Sequence, residues 1–382
     1  MYYNRIEEQL TSTYLRQFRL VGIMGPRQSG KSTMIRTLLQ DKYQYLTFDN
    51  LSVRDHFYTQ PQDFLQQYNR NIIFDEVQQA PELFPALKIL ADEEPNDKGR
   101  FVLTGSGQYL LSKNISESLA GRIGLVSLLP FQFNECTLNM QDKYIYTGGY
   151  PEVITGTFSE PHAYFNSYLN TYIQKDLRNM LNVSDLNAFT LFLRLLASRA
   201  SQILNMSDMA KETGYSVTTI TRWLSILEAS YIIFLLRPFY NNLGKRMVKS
   251  PKIYFYDNGL LTFLMGITPS NVQSEQDSSG LIFENFIISE VRKNLFHKGI
   301  FADIFYIRTS HGDEIDLVID FKNSIQLIEI KSSENYKPQF HKTLEKLSRR
   351  GWAKHVVYKG ETHPPAPGIK AWNFKDYLKE EM

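Results

Sequence analysis

The sequence predicts an α/β protein built from more than one domain, and three observations carry that prediction. Short apolar runs alternate with helical patterns over the first third of the chain. From about Pro151 to Leu204 the apolar spacing switches to the helical period. Strand-like runs then return at Ile304–Arg308, Glu314–Asp320 and Ser324–Lys331. At 382 residues the chain has room for roughly two to four domains.

Composition narrows the function classes. Apolar residues make up 43% and charged residues 21%, a globular balance that excludes general disorder. Forty-two basic residues against forty acidic give a net charge of +2, so any nucleic-acid contact must come from a local patch. The single cysteine, Cys136, excludes an internal disulfide framework and a cysteine-cluster metal site. The first twenty residues lack the apolar core of a signal peptide, and the late apolar run Tyr231–Leu236 is far shorter than a membrane span. The chain therefore reads as a cytoplasmic protein with no membrane partner.

The first strand is Phe18–Met24, and it leads into Gly25-Pro26-Arg27-Gln28-Ser29-Gly30-Lys31-Ser32, followed by Thr33. That run fits G-x-x-x-x-G-K-[ST] and opens a helix whose apolar side carries Met34, Ile35, Leu38 and Leu39. Glycines there let backbone N–H groups wrap a phosphate, and the helix start adds a positive dipole end. Lys31 reaches the β- and γ-phosphates, and the Ser32 hydroxyl ligates Mg²⁺.

Further strands follow at Tyr45–Phe48, Asn71–Phe74 and Arg100–Thr104, with helices around Pro61–Tyr68 and Pro85–Asp92. Buried strands alternating with helices imply a parallel sheet covered on both faces. Asp75 and Glu76 end the third strand: Asp75 suits the Mg²⁺ shell, and Glu76 suits a general base that polarises water. Thr104 or Ser106, at the end of the fourth, orients that water or senses the γ-phosphate. No N/T-K-x-D signature for guanine is apparent, which favours ATP.

Asn205–Glu228 reads as two helices around a turn at Gly214, with Ser207 and Ser216 as caps. Val217, Ile220, Leu224 and Leu227 fall on one face of the second helix, leaving Thr218, Thr219, Arg222 and Ser225 outward. Short hydroxyls and an arginine suit a major-groove surface. Tyr231–Pro238 would be a wing strand. Lys245, Arg246, Lys249 and Lys252 add four positive charges within eight residues, either a solvated loop or a phosphate-contacting one. Ser270–Ser279 reads as a polar loop, and a helix through Phe283, Phe286, Ile287 and Val291 begins after Gly280.

Glu314–Lys331 reads as a hairpin. A two-residue turn at Lys322-Asn323 puts Asp316 opposite Glu329 and Glu314 opposite Lys331. Like charges directly opposite repel. Two facing carboxylates on apolar strands point to a divalent cation, Mg²⁺ or Mn²⁺.

The order of the phosphate loop, Asp75-Glu76, Leu103-Thr-Gly-Ser106 and Ser118-Leu-Ala-Gly-Arg122 resembles prokaryotic AAA+-type ATPases that carry a C-terminal domain of unknown function. The likeness continues through Leu129-Pro-Phe131, Gly148-Gly-Tyr-Pro151, Tyr172–Leu177, Asn241–Arg246, Lys249–Phe255, Asp257-Asn-Gly-Leu260 and Phe283-Glu-Asn-Phe286. The family has Asp-Thr-Gly where this chain has Asp257-Asn-Gly. By that resemblance Arg122 is an arginine finger for a neighbouring subunit in an ATP-bound homo-oligomer. Pro151 belongs to the Gly-x-Pro element that meets nucleotide at the start of a helical lid. The C-terminal pattern resembles the PD-(D/E)xK nuclease fold. That implies Asp316 and Glu329 on Mg²⁺, Lys331 positioning water and Glu284 aiding the metal shell.

The resulting architecture is an AAA+-like ATPase core at 1–135, a helical lid at 136–200, a winged helix-turn-helix at 201–245 and a PD-(D/E)xK-like domain at 246–382. Two functions stay open, of which the first is preferred. One is ATP-dependent DNA binding or processing, with Thr218, Thr219, Arg222, Lys245 and Arg246 on DNA and metal-dependent cleavage at the C-terminal acids. The other is a nucleotide-driven switch that controls a protein assembly and carries a non-cutting adaptor domain.

Overall fold

The computed structural model describes residues 2–105, 118–158, 160–172, 186–239, 250–268 and 276–380. The chain divides into two compact units: Met1–Phe131 with Ala229–Tyr231 and Phe296–Gly299, and Gln132–Glu228 with Ile232–Leu295 and Ile300–Met382.

The first unit runs α1 (Glu7–Gln17), β1 (Leu20–Met24), α2 (Lys31–Leu39), β2 (Gln44–Thr47), α3 (Leu51–Thr59), α4 (Pro61–Gln67), β3 (Ile72–Asp75), α5 (Leu83–Glu93), β4 (Phe101–Gly105) and β5 (Ile123–Ser127). The strands form one parallel sheet in the order β2-β3-β4-β1-β5. Every residue of β1, β3 and β4 is buried. A sheet covered on both faces needs apolar side chains pointing both ways, so its strands read as continuous apolar runs. One cluster packs Leu20, Phe48, Phe74, Leu87 and Phe101; the other packs Val21, Ile23, Met34, Ile35 and Val126. The four expected strands are β1 to β4 within a residue or two; β5, α1 and α3 had not been foreseen.

In the second unit, α6 (Leu138–Thr147), α7 (Pro151–Ile154), α8 (Pro161–Tyr172), α9 (Leu186–Ser198), α10 (Met206–Thr213) and α11 (Val217–Ala229) precede a long sheet. Its strands are β6 (Ile233–Pro238), β7 (Lys252–Phe255), β8 (Asp303–Arg308), β9 (Glu314–Asp320), β10 (Ile325–Lys331), β11 (Ala353–Tyr358), β12 (His363–Ala366) and β13 (Ile369–Asn373). Helices α12 (Asn258–Leu264), α13 (Gln276–His297), α14 (Gln339–Leu347) and α15 (Phe374–Glu380) complete it. The sheet order is β12-β13-β11-β10-β9-β8-β6-β7.

Three expectations are corrected here. The strand expected as a wing, β6, pairs antiparallel with β7 and, at Arg237 and Pro238, parallel with β8, so it is part of the eight-stranded sheet. Val217 is 45% exposed, and Trp223 fills the core instead, packed against Phe189, Phe192 and Tyr215. Val217 starts α11 just after the Ser216 cap, before the helix reaches the core. The helix expected after Gly280 starts at Gln276, inside the expected loop. Among the described residues no helix is long and apolar enough to cross a membrane.

Candidate functional site

The phosphate loop joins β1 to α2. Gly25 passes so close to the end of β5 that a Cβ there would stand 2.0 Å from the Leu128 carbonyl oxygen. Gln28 and Gly30 both adopt left-handed backbone, with φ of 58° and 96°. Lys31 is buried, and its ammonium donates to the carbonyls of Gly25 and Pro26 at 3.1 and 2.6 Å. Burial pushes its pKa down to about 8, against the pull of Glu76 and Asp75; Arg27 pushes the same way as burial. Loop carbonyls thus hold a charge that a phosphate would satisfy better. Ser29 is fully buried, with its hydroxyl on the Pro26 carbonyl. Thr33 is exposed on α2.

Asp75, at the end of β3, collects hydroxyls. Ser32 Oγ lies 3.2 Å from both carboxylate oxygens, and the hydroxyls of Thr104 and Tyr45 donate to one oxygen each. Thr104 arrives there because β4 runs parallel beside β3, with Leu103 opposite Phe74. Ser32 and Asp75 offer the hard oxygens that suit Mg²⁺. Glu76 follows in left-handed backbone, φ 54°, beside Gln78, whose amide donates to its carboxylate. A non-glycine residue in that conformation is strained, and it turns the side chain away from the strand direction.

Sequence reading missed two residues of this region. Tyr45 sits inside an ordinary strand pattern, and only the pairing of β2 with β3 brings it to Asp75. Arg5 precedes the first helix without any motif. It is buried, donates to Ser29 O at 3.0 Å and Leu129 O at 2.8 Å, and lies 4.5 Å from the Phe131 ring centroid.

Arg122 is placed elsewhere. It immediately precedes β5, whose first residue Ile123 pairs with Leu20, the first residue of β1, so it stands at the opposite end of the strands from the phosphate loop, which follows Met24. Its guanidinium grips Asp92 of α5 through two contacts of 2.7 Å. Ser106 lies outside the described residues, as do Lys245, Arg246 and Lys249.

Pro151 starts α7 in the second unit. On α11, Thr218 and Arg222 are exposed, whereas the Thr219 hydroxyl pairs with Ser216 at 2.9 Å as part of the helix cap.

The C-terminal hairpin has the expected register. The Phe321 N–H donates to Ser324 O at 3.0 Å, and the pairs run from Ile325–Asp320 to Ile328–Leu317, one step short of Glu329 and Asp316. Asp316 and Glu329 are buried, and burial followed by the Asp316 charge raises the pKa of Glu329. Lys331 Nζ lies 2.6 Å from Glu329 Oε1 and 3.6 Å from Asp316 Oδ2, and the Ile330 N–H donates to Asp316 at 2.8 Å. Glu284, on α13, takes Lys252 Nζ at 3.1 Å and the Tyr254 hydroxyl at 2.7 Å on the same oxygen. Lys252, expected in a solvent or phosphate loop, is instead 2% exposed at the start of β7 and also meets Glu314 at 2.5 Å. Lysines offset part of the repulsion expected between the facing acids, and burial followed by the Asp316 charge still raises the pKa of Glu284 as it does that of Glu329.

Residues 17–137 match the family model described as an AAA domain. Residues 139–271 match a domain of unknown function (DUF8612), and residues 279–377 match another (DUF4143). The uncharacterized protein Rv2008c of Mycobacterium tuberculosis is 29% identical over 350 residues, 91% of this chain and 78% of its own length. MJ1544 of Methanocaldococcus jannaschii is 24% identical over 343 residues, 81% of this chain and 73% of its own. In solved structures, the chain is similar to the Walker-type ATPase PABY2304 of Pyrococcus abyssi, with a TM-score of 0.45 and 16% identity over 68% of this chain and 94% of that one. It is also similar to the RuvB Holliday junction branch migration motor of Thermotoga maritima, with a TM-score of 0.29 and 17% identity over 60% and 88%. The chain therefore carries an AAA-type P-loop domain over residues 17–137, followed by a C-terminal domain of the DUF4143 family.

Proposed function

We propose that the protein binds ATP with Mg²⁺ and hydrolyses it, and that hydrolysis drives a nucleotide-dependent switch. The convergence of Ser32, Thr104 and Tyr45 on Asp75, beside a buried Lys31, carries this reading. Lys31 leaves its loop carbonyls for the β- and γ-phosphates. Ser32 and Asp75 would hold Mg²⁺, which would supply charge neutralisation at the phosphates. Glu76 takes the proton of the attacking water, and Thr104 keeps Asp75 oriented. Arg122 reaches a neighbouring subunit's site from the end of the strands opposite its own phosphate loop, and that requires assembly. The test is ATP turnover with binding followed separately. Lys31→Ala abolishes binding; Glu76→Gln binds ATP and traps it. Turnover by Glu76→Gln at the wild-type rate assigns the base elsewhere.

DNA contact is a second reading, favoured by the solvent face of α11, where Thr218, Thr221, Arg222 and Ser225 are exposed. Lys245 and Arg246 would add phosphate contacts. A gel shift at two salt concentrations tests it: phosphate contact gives a log–log loss of affinity with salt, flattened by reversing Lys245 and Arg246. Salt-insensitive binding, equal in mutant and wild type, supports the switch acting through protein alone. The Lys252 ammonium held against Glu284 favours a non-cutting C-terminal domain over a nuclease.

A further inference from the structure

We propose that Lys252 is the resident counter-ion of the C-terminal acid cluster and holds the place that a divalent cation would otherwise take. The proposal deepens the non-cutting reading, and it rests on treating Glu284, Glu314, Asp316 and Glu329 as one site. Lys252 starts β7, opposite Leu236 of β6. Its ammonium reaches Glu284 Oε1 at 3.1 Å and Glu314 Oε1 at 2.5 Å, and lies 5.7 Å from the Tyr306 ring centroid. An ammonium has three donors and no acceptor. Two carboxylates and a ring face surround it much as ligands surround a small cation. Tyr254, two residues along the same strand face, donates to that same Glu284 oxygen at 2.7 Å.

The remaining acids have partners of their own. Glu314 also pairs with Arg308 at 2.8 Å. Lys331 takes Glu329 and, more distantly, Asp316, while the Ile330 N–H takes Asp316 Oδ2. One ion shared by Glu284, Asp316 and Glu329 needs an oxygen of each within a few ångströms of the others. Among the described residues these three do not come together within 4.8 Å. A metal on Glu284 would have to sit against the Lys252 ammonium or expel it. Removing one member of a buried ion pair leaves the partner's charge uncompensated, so expulsion is strongly opposed. Three of these acids do not fit a shared metal ion while Lys252 stays. Of the oxygens of these four acids, Glu329 Oε2 is the one buried without a hydrogen-bond partner, which makes Glu329 the residue on which a bound ion would register.

Lys252 and the acids come from different stretches of chain. Lys252 falls in the region matched over 139–271, whereas Glu284, Glu314, Asp316 and Glu329 fall in the region matched over 279–377. The cluster is complete only with both.

The experiment is a thermal melt of the full chain without nucleotide, titrated with Mn²⁺ alone. Any ion at the phosphate loop is common to all variants and cancels between them. Wild type is expected to gain no more melting temperature than Glu329→Gln does as Mn²⁺ rises to millimolar levels. Lys252→Met is expected to melt roughly ten degrees lower, and Mn²⁺ to restore most of that loss by mass action. Lys252→Met with Glu284→Gln is expected to regain stability without metal and to lose the Mn²⁺ response. Paramagnetic titration of the wild type with Mn²⁺ decides the matter even if Lys252→Met does not fold. A stoichiometric Mn²⁺ site in wild type that disappears in Glu329→Gln or Asp316→Asn overturns the proposal, and so does a Lys252→Met variant that melts like wild type. Neither result touches the ATPase reading, which is measured on nucleotide.

Discussion

The carboxylate of Asp257 accepts the N–H of Gly149 at 2.7 Å, across 108 positions of sequence. The same carboxylate caps α12 by accepting the Leu260 N–H at 2.9 Å. Asn258 continues the link: its amide donates to Ile145 O at 3.0 Å and Ile282 O at 3.1 Å, and its own oxygen accepts from Asn285 at 2.7 Å. Three short motifs, at Gly148–Pro151, Asp257–Leu260 and Phe283–Phe286, therefore form one buried polar joint. Such a network holds only when each member is satisfied.

That joint predicts a steep cost at Gly148. Its φ is +72°, and a Cβ there would stand 2.2 Å from Asp257 Oδ1. Gly148→Ala should destabilise by about 3 kcal/mol or more, combining backbone strain with displacement of a buried carboxylate. Gly156 has a similar φ of +83° but open space around its Cβ position, so Gly156→Ala should lose only about 1 kcal/mol. Denaturant melts of the two variants compare them; equal losses would show that Asp257 yields freely.

The hydroxyls on Asp75 should matter for turnover more than for ATP capture. Tyr45→Phe and Thr104→Val each remove one donor to that carboxylate. Losing an outer partner of a metal-holding group typically lowers metal affinity or activity about 10- to 100-fold. The expected result is a fall of that size in turnover, relieved in part by raising Mg²⁺, with nucleotide affinity little changed. Unaltered turnover in both variants would remove Asp75 from the metal shell.

ATP binding should take up a proton. In the free protein, burial holds Lys31 at about 8 rather than near its ordinary value of 10.5. Between those values the unfolded chain binds more protons than the folded one, so this group makes stability rise with pH across that window. Phosphates favour the charged ammonium and restore it. Binding above about pH 8 therefore absorbs a proton, and affinity falls as pH rises further. Calorimetry in two buffers of different ionisation heat measures this uptake; identical heats near pH 8 to 9 count against it.

Arg122 offers a test of assembly. Because it lies at the end of the strands opposite its own phosphate loop, Arg122→Ala should bind ATP with wild-type affinity and hydrolyse it poorly. Mixing it with Lys31→Ala should restore part of the rate, since each variant supplies what the other lacks. A protein that stays monomeric by light scattering with ATP bound would leave Arg122 only its pairing with Asp92.

Local motifs were legible in the sequence where chemistry and spacing coincide. Gly25–Ser32, Asp75 and Glu76 fall at strand ends because only there does a parallel sheet open onto a helix start. The register of the C-terminal hairpin followed from its two-residue turn, since strand period fixes every later pair. What escaped is long-range. Tyr45 meets Asp75 through strand neighbours, Arg5 meets Ser29 through the placement of the N-terminal helix, and Lys252 meets Glu284 through a sheet that joins distant segments. Trp223 replaced Val217 in the core because the first turn of α11 projects beyond the apolar face.

The eight-stranded sheet bears on how this chain can be cut. A fragment beginning near Gly280 would lose β6 and β7 and leave one side of β8 with unpaired peptide groups. Bare strand edges recruit strands from other molecules, so such a piece should self-associate and precipitate. It would also leave Glu284 without its ammonium partner. Dissection before Ile232, with β6 retained, keeps β8 paired and Glu284 with its ammonium, but it bares the outer side of β7, where Ser201, Gln202 and Leu204 exchange backbone hydrogen bonds with Pro251 and Ile253.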